Sequence, residues 1–518
     1  MNSLGIKYNE KGYYFIKYTM IIMLISVVCF LPIIANSLTN SYDGLWYSTY
    51  YQAGNLELAS GRWAWLFLDK IREGYSAEPF NSLLALLFMT AGTYFLFLPF
   101  MHKKHILLYA LLIIVSTTTC CYLSYRFQSP TFGASFFTAT LSAWFVINSD
   151  TSGNIKKVLL SCALGTLLLS VSLGLYQSNI GCFCLALLAY SMYMLLSDNR
   201  ANTPIILIRG IGVLLAGCIV YKILWDVALI LRHTAAASYR GADSVSILTI
   251  IKMLPQSILG TYASFVDFFS FNEGYYVFKI IRCFLVIVLF AFLLFQGIRK
   301  LRNNLRDCIL FIALWLLIPV AANLFLLLAP FAGWLSMQMT GPLSIVVPLL
   351  LCVLEQGIKR AKICLILGCV FLYGNIYAVG TDIDALSQGM TSSQAIVQNV
   401  IASITEEEIY SDDNEYLFVG NISDSPLFRK NILWSRASSY AKAGDSGIYS
   451  SSYYDSYKGV LDDIGIQLKI GSLDDYFSVL EDDSVLSAPN YPNPKSIIKK
   501  GNLVIIKISD NIGIEYPQ

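Results

Sequence analysis

Long apolar runs recur along this 518-residue chain and stop near residue 380, and that succession limits what it can fold into more than any other feature. A bilayer core of about 30 Å requires roughly 20 mostly apolar residues per helix. Eleven stretches meet or approach that length, at 17–38, 80–101, 106–124, 132–148, 158–175, 179–197, 204–230, 276–298, 308–330, 336–354 and 363–380. With 56% hydrophobic residues, 14% charged residues and a mean hydropathy of +0.59, the chain reads as an α-helical polytopic membrane protein and not as a soluble one.

Orientation follows from the basic residues, which are retained on the cytoplasmic side. Lys7, Lys11 and Lys17 precede the first span, and Lys103-Lys104, Lys156-Lys157, Arg299-Lys300 and Lys359-Arg360 fall in alternate loops. The N-terminus is therefore expected in the cytoplasm and the C-terminus outside. The first span has a polar lead of about 16 residues, which favours an uncleaved anchor over a signal peptide. Ile34-Ala35-Asn36-Ser37 gives only a weak cleavage signal.

Charge divides the chain in two. Residues 381–518 carry 20 acidic and 10 basic side chains, and residues 1–380 carry 14 and 26, so a tail of net −10 offsets a membrane part of net +12 to give +2. An acidic tail argues against a nucleic-acid partner, and the basic excess elsewhere is mostly the orientation signal. All twelve cysteines lie between Cys29 and Cys369, in or beside the apolar runs. The exported parts thus offer no disulfide framework and no zinc-type spacing, which suits a bacterial periplasm.

We expect a transmembrane domain at 1–380, with long extracytoplasmic loops at 39–79 and 231–275, followed by an acidic extracytoplasmic α/β domain at 381–518. Within the first loop, Leu56, Leu58, Trp63, Leu66, Phe67 and Ile71 recur beside Glu57, Arg62, Asp69, Lys70 and Arg72, which predicts a helix lying in the membrane interface. In the second, Pro255 and Gly260 interrupt residues 247–271, which predicts an interfacial or re-entrant segment. In the tail, the pattern predicts a helix starting at Ser392 or Ser393 and a strand at Tyr416–Val419. It also predicts a hairpin turning at Gly501-Asn502.

Chemistry concentrates just past the first span. Asp43 stands where membrane meets water, and its bland reading is a helix-end carboxylate reaching solvent. Trp46, Tyr47, Tyr50 and Tyr51 add faces on which a sugar can stack, and Arg62 adds a forked donor for phosphate. Glycosyl transfer from a lipid-phosphate sugar needs a base for the acceptor hydroxyl and cationic donors for the departing phosphate. Glu57 and Asp69 could each serve as a second carboxylate, although either alone reads more simply as the polar face of the interfacial helix. Tyr239 and Arg240 in the second loop, Arg126 after the third span, and Tyr176 with Gln177 after the fifth could line the same cavity. Membrane-interface anchoring is the plainer reading for these residues. Asp382-Ile383-Asp384 has the spacing of an acidic metal pair, a weak pattern. No nucleotide-binding glycine loop is present in the required strand–turn–helix setting, and neither a cofactor nor a metal is expected.

Taken in order, Asp43-Gly44, Gly61-Arg62-Trp63, Leu173-Gly174-Leu175-Tyr176-Gln177-Ser178, Ser238-Tyr239-Arg240-Gly241 and Met339-Thr340-Gly341-Pro342 resemble the bacterial serotype-converting O-antigen glucosyltransferases of the type II Gtr family. The resemblance spans most of the membrane part and fits the tail loosely. It implies a GT-C-like fold in the bacterial inner membrane, undecaprenyl-phosphate-glucose as donor and lipid-linked O-antigen in the periplasm as acceptor. It also implies inversion at the anomeric carbon and a catalytic acid in the first periplasmic loop, which falls on Asp43. A small flippase and a cytoplasmic enzyme that loads glucose onto the lipid are the implied partners. From the residues alone, a transporter or flippase for lipid-linked sugars, or an O-antigen polymerase or ligase, shares this membrane layout.

Overall fold

The computed structural model describes residues 8–40, 43–47, 49–100, 103–149, 154–197, 200–238, 246–270, 276–332, 335–357, 361–428 and 454–512. Among them, eight helices are long and apolar enough to cross a membrane: Gly12–Asn36, Phe80–Phe100, Ser129–Ile147, Ile155–Leu175, Gln177–Leu195, Arg200–Leu231, Ile280–Leu301 and Lys362–Glu406. Each covers one of the eleven predicted runs. The run at 106–124 forms two helices, Ile106–Ile114 and Thr117–Ser124, bent by 46° at a short break. Ser116 makes that break favourable locally, because its extended backbone stops the first helix and its Oγ accepts the Thr119 N–H of the second (3.3 Å).

Two predicted spans are corrected. The run at 308–330 is divided into Leu305–Leu316, Ile318–Ala322 and Leu324–Leu328, with Pro319 and Asn323 at the joints. Proline cannot donate the hydrogen bond that would carry a helix through. The Asn323 side chain instead donates to the Thr261 carbonyl of the neighbouring helix (2.9 Å). The run at 336–354 leaves only the shorter apolar stretch Gly341–Gly357, opened by Pro342. Conversely, Pro255 does not break the second loop's segment, since Ile247–Ser270 is one helix.

The last span is continuous with the tail. Lys362–Glu406 is a single helix of 45 residues, roughly 68 Å at 1.5 Å per residue, and Ser392 and Ser393 lie within it and do not start it. Its far end, from Ile396 to Ile404, packs on a three-stranded sheet of order β1-β3-β2, where β1 is Glu415–Val419, β2 is Ile497–Lys500 and β3 is Leu503–Lys507. The predicted hairpin forms, with β2 antiparallel to β3, and β1 runs parallel to β3 with Tyr416 opposite Val504 and Phe418 opposite Ile506. Alternation along the strands serves two layers. Tyr416, Phe418, Val504 and Ile506 face the long helix and the helix Tyr454–Ile464, while Leu417, Val419 and Ile505 face Tyr476 and Val479. Leu45, from the first loop, belongs to the first of these cores. The tail therefore closes its core with a residue two positions from Asp43.

Candidate active site

Asp43 opens a four-residue helix, Asp43–Trp46, seated directly on the membrane part. The next residue must be small. A Cβ on Gly44 would lie 2.2 Å from Thr39 Oγ1 and 3.0 Å from the Ser124 carbonyl. Gly44 N–H donates to Asn40 Oδ1 (3.0 Å), and Thr39 and Asn40 both bond to Ser124 at the end of the bent span. The Asp-Gly pair thus fixes the carboxylate where the ends of two spans meet. Burial pushes the Asp43 carboxyl up to about 6, and the Arg62 guanidinium opposes that rise.

Arg62 is placed by interlocking motifs. Gly61 has φ +84°, and a Cβ there would meet the Tyr221 hydroxyl at 2.3 Å. Gln177 Nε2 donates to the Ser60 carbonyl (2.7 Å), and Trp225 Nε1 donates to the Leu58 carbonyl (2.6 Å). On the other side of Arg62, Ala64 N–H donates to the Gly174 carbonyl (2.9 Å), and the Trp63 ring occupies the space a Gly174 side chain would need, 2.5 Å from an added Cβ. The guanidinium lies 5.5 Å from the Tyr176 ring and 5.9 Å from the Trp65 ring. Its Nε is buried and makes no hydrogen bond among the described residues. A cation held by aromatic faces, with donor capacity left over beside a carboxylate, is suited to a phosphate oxygen.

The other predicted carboxylates occupy different positions. The single interfacial helix is in fact two short ones, Asn55–Ala59 and Trp65–Arg72, and their faces are the reverse of the expected ones. Leu56, Phe67 and Ile71 point outward, while Glu57 and Asp69 are buried. Glu57 accepts from the Tyr51 hydroxyl and from Gly54 N–H (2.8 Å). Asp69 accepts from Arg72 Nε (2.8 Å), Trp65 Nε1 (2.9 Å) and Ala53 N–H (2.7 Å), and Arg72 in turn binds the carbonyls of Tyr51, Gly74 and Tyr75. These two residues hold the loop in shape. Burial pushes the Asp69 carboxyl up against the pull of Arg72.

Arg126 is occupied by the carbonyls of Ser37 (3.3 Å) and Ser76 (3.1 Å) and by Asp463 of the tail (3.7 Å), although its Nε has no partner among the described residues. Tyr47 packs against Tyr51 and Phe127, with ring centres 4.1 and 5.1 Å away. Tyr176 is buried beside Arg62, and Gln177 clamps the Ser60 turn. Tyr239, Arg240 and the Trp46 side chain lie outside the described residues. The segment before Tyr239 runs against the first loop, with Ala237 N–H donating to the Ala59 carbonyl (3.0 Å). Asp382 is buried and Asp384 exposed, so the two carboxylates face apart and do not form the pair their spacing suggested.

Sequence reasoning missed Glu78 and Asp463. Glu78 is half-buried and accepts from Ser82 through both N–H (3.3 Å) and Oγ (2.9 Å). Burial raises its carboxyl to about 7, partly offset by Ser82 and Arg126. A Glu-Pro pair four residues before a serine at a helix start was the available signal. For Asp463 there was none, because its partner is 337 positions away.

The apolar helices make this a membrane protein, and the family match makes it a glycosyltransferase. The chain belongs to the glucosyl transferase GtrII family, whose model matches residues 47–354. Among solved structures it is similar to an oligosaccharyltransferase, AglB, of Archaeoglobus fulgidus in complex with an inhibitory peptide and a dolichol-phosphate, at 12% identity and a TM-score of 0.37 over 88% of this chain and 69% of that one. A second structure of an oligosaccharyltransferase from that organism, tethered to an acceptor peptide, gives 13% identity and a TM-score of 0.34 over 88% and 68%. No curated protein matches.

Proposed function

We propose that this protein transfers glucose from undecaprenyl-phosphate-glucose to O-antigen repeat units carried on lipid, at the periplasmic face of the bacterial inner membrane. The observation that carries this reading is Asp43 beside Arg62, a half-buried carboxylate next to a guanidinium with donor capacity to spare. Asp43 takes the proton of the acceptor hydroxyl as that oxygen attacks the anomeric carbon. The bond from that carbon to the phosphate oxygen breaks, and the departing lipid phosphate takes its electron pair toward Arg62. Tyr47 and Tyr176 offer ring faces near the sugar, Arg240 is a second candidate for the phosphate, and the tail, joined to this helix through Leu45, bears on the acceptor. Glu57 and Asp69 support the loop and leave the proton transfer to Asp43.

The test is transfer of labelled glucose from undecaprenyl-phosphate-glucose to lipid-linked O-antigen, in membranes containing either wild-type protein or Asp43→Asn at matched expression. Transfer by wild type alone supports the reading. Equal transfer by both removes Asp43 as the base, and transfer by neither, with acceptor present, overturns the choice of donor.

A further inference from the structure

The break at Ser116 divides one span into two helices set 46° apart, and every residue of the second, Thr117–Ser124, is buried. A helix of 8 residues is too short to hold its place by its own hydrogen bonds, so its position is set by what touches it. Its last residue holds the Asp43 side of the site. The Ser124 carbonyl accepts from Thr39 Oγ1 (2.9 Å) and from Asn40 N–H (3.0 Å), and Asn40 Oδ1 accepts the Gly44 N–H beside Asp43 (3.0 Å). Two residues earlier, Tyr122 holds the Arg62 side. Its ring stacks on Phe132 with centres 4.5 Å apart, Phe132 meets Tyr176 edge-on at 4.8 Å, and Tyr176 faces the Arg62 guanidinium at 5.5 Å.

Behind this helix lies the motif Met339-Thr340-Gly341-Pro342, to which the reaction above gives no role. Thr118 and Tyr122, four positions apart and so on one helix face, both meet it. Thr340 Oγ1 donates to the Met337 carbonyl (2.6 Å) and is therefore the acceptor for the Thr118 hydroxyl (2.8 Å). Gly341 leaves room for the Tyr122 hydroxyl and the Asn179 amide, since a Cβ there would lie 2.3 Å from Tyr122 Oη and 2.7 Å from Asn179 Oδ1. Pro342 in turn fills the space that a side chain on Gly181 would need, 2.7 Å from an added Cβ. Asn179 and Gly181 follow Tyr176 closely in the chain, so the motif braces both the helix and the segment that carries Tyr176.

We propose that Thr340 and Gly341 are positioning residues: they seat the helix Thr117–Ser124 and, through its Tyr122 and Ser124, set the separation of Asp43 from Arg62, a role that rests on the reading of those two as base and phosphate-binding group. Arg62 is the charge that opposes the rise of the Asp43 carboxyl. Glu78 and Asp463 act on Arg126 instead, and Lys458 and Asp462 of the tail helix are exposed. The protonation of Asp43 therefore reports its separation from Arg62.

The test reads Asp43 directly and does not depend on transfer. Dicyclohexylcarbodiimide adds to a carboxyl in its protonated form. Labelling of Asp43 in the full-length protein in nanodiscs, measured by mass spectrometry across pH, should therefore fall with a midpoint near 6 in wild type. Thr340→Val removes the acceptor for Thr118, and Gly341→Ala drives Tyr122 away. Each should raise the midpoint by about half a unit, a roughly threefold gain in the protonated fraction above it, in the same direction as Arg62→Gln. Tyr122→Phe keeps the ring on Phe132 and removes the hydroxyl, leaving the nearest Tyr122 atom 3.5 Å from the new Cβ, so Gly341→Ala with Tyr122→Phe should return the midpoint toward wild type. A change in thermal stability alone, with the midpoints of Thr340→Val and Gly341→Ala unchanged or lowered, overturns the assignment. Should Gly341→Ala fail to fold, Thr340→Val against Thr340→Ser, which keeps the hydroxyl, decides it, because only the first should shift. Glucose transfer is followed in the same samples. Variants that shift as expected beside a wild type that transfers no glucose keep the positioning role and remove the donor assigned above. Normal transfer with unmoved midpoints does the reverse.

Discussion

At the scale of single residues, the site depends on how two charges are buried together. A general base must be ionised to accept a proton, so its activity is lost as pH falls through its folded-state pKa. With Asp43 near 6, kcat/KM should fall about tenfold per pH unit below that value, in a profile measured with donor and acceptor in membranes. Arg62 lowers the Asp43 pKa, so Arg62→Gln should move this acid limb to higher pH as well as weaken donor use. Glu78, near 7, could produce a limb of its own, and Glu78→Gln separates the two, because the limb near 6 persists if it belongs to Asp43. Asp43→Asn keeps the shape of the side chain and removes the base, so it should cost about a hundredfold or more in transfer with little change in thermal stability. A normal rate in that variant would assign proton transfer to another group.

At the scale of elements, two glycines next to aromatics do the positioning. Trp63 fills the space above Gly174, and the Ala64 N–H bond to the Gly174 carbonyl ties the Arg62 turn to the end of the helix Ile155–Leu175. Gly174→Ala should therefore destabilise the protein by about 1–3 kcal/mol and reduce transfer by displacing Arg62. In a Trp63→Leu background the same substitution should add little, a non-additivity that thermal unfolding of the four variants in detergent would reveal. These contacts show what the sequence made legible. Gly61-Arg62-Trp63 and Leu173-Gly174-Leu175-Tyr176-Gln177 stood out as motifs, and they meet because each supplies the small residue the other's ring or turn requires. The apolar runs gave most of the helices, since length and composition alone decide whether a helix can span. The breaks at Ser116, Pro319 and Asn323 were less legible: at the first, Asn375 of another helix meets the freed Leu112 carbonyl, and at the last, Asn323 reaches the Thr261 carbonyl of another helix. The inward turn of Glu57 and Asp69 was not legible at all. Their partners, Tyr51, Ala53 and Arg72, form a polar core within the loop, and the apolar residues face outward where a soluble protein would face water.

At the scale of the whole molecule, the tail and the membrane part act as one body around Asp43. The long helix Lys362–Glu406 carries the sheet outward, and the helix Tyr454–Ile464 returns to pack on Asp43–Trp46. The contact is close: a Cβ on Gly459 would lie 2.1 Å from the Leu45 carbonyl oxygen. Nearby, Asp463 meets Arg126 at 3.7 Å, with both side chains under one-tenth exposed. Neither contact was visible in a sequence whose acidic tail reads as a separate domain. Gly459→Val cannot keep this packing, since the atom it meets is backbone and has no rotamer to yield. The tail helix should detach, Leu45 should leave the tail core, and Asp43 should lose its fixed position while the apolar spans remain folded. Limited proteolysis should then cut at 454–464 far faster than in wild type, with transfer lost and membrane insertion unchanged. Asp463→Asn removes one charge of a buried pair but leaves Arg126 its two carbonyls, so its effect should be milder and in the same direction. If Gly459→Val exposed the tail to protease yet transferred sugar at the wild-type rate, the tail would be a passenger, and the membrane part alone would hold the base in place.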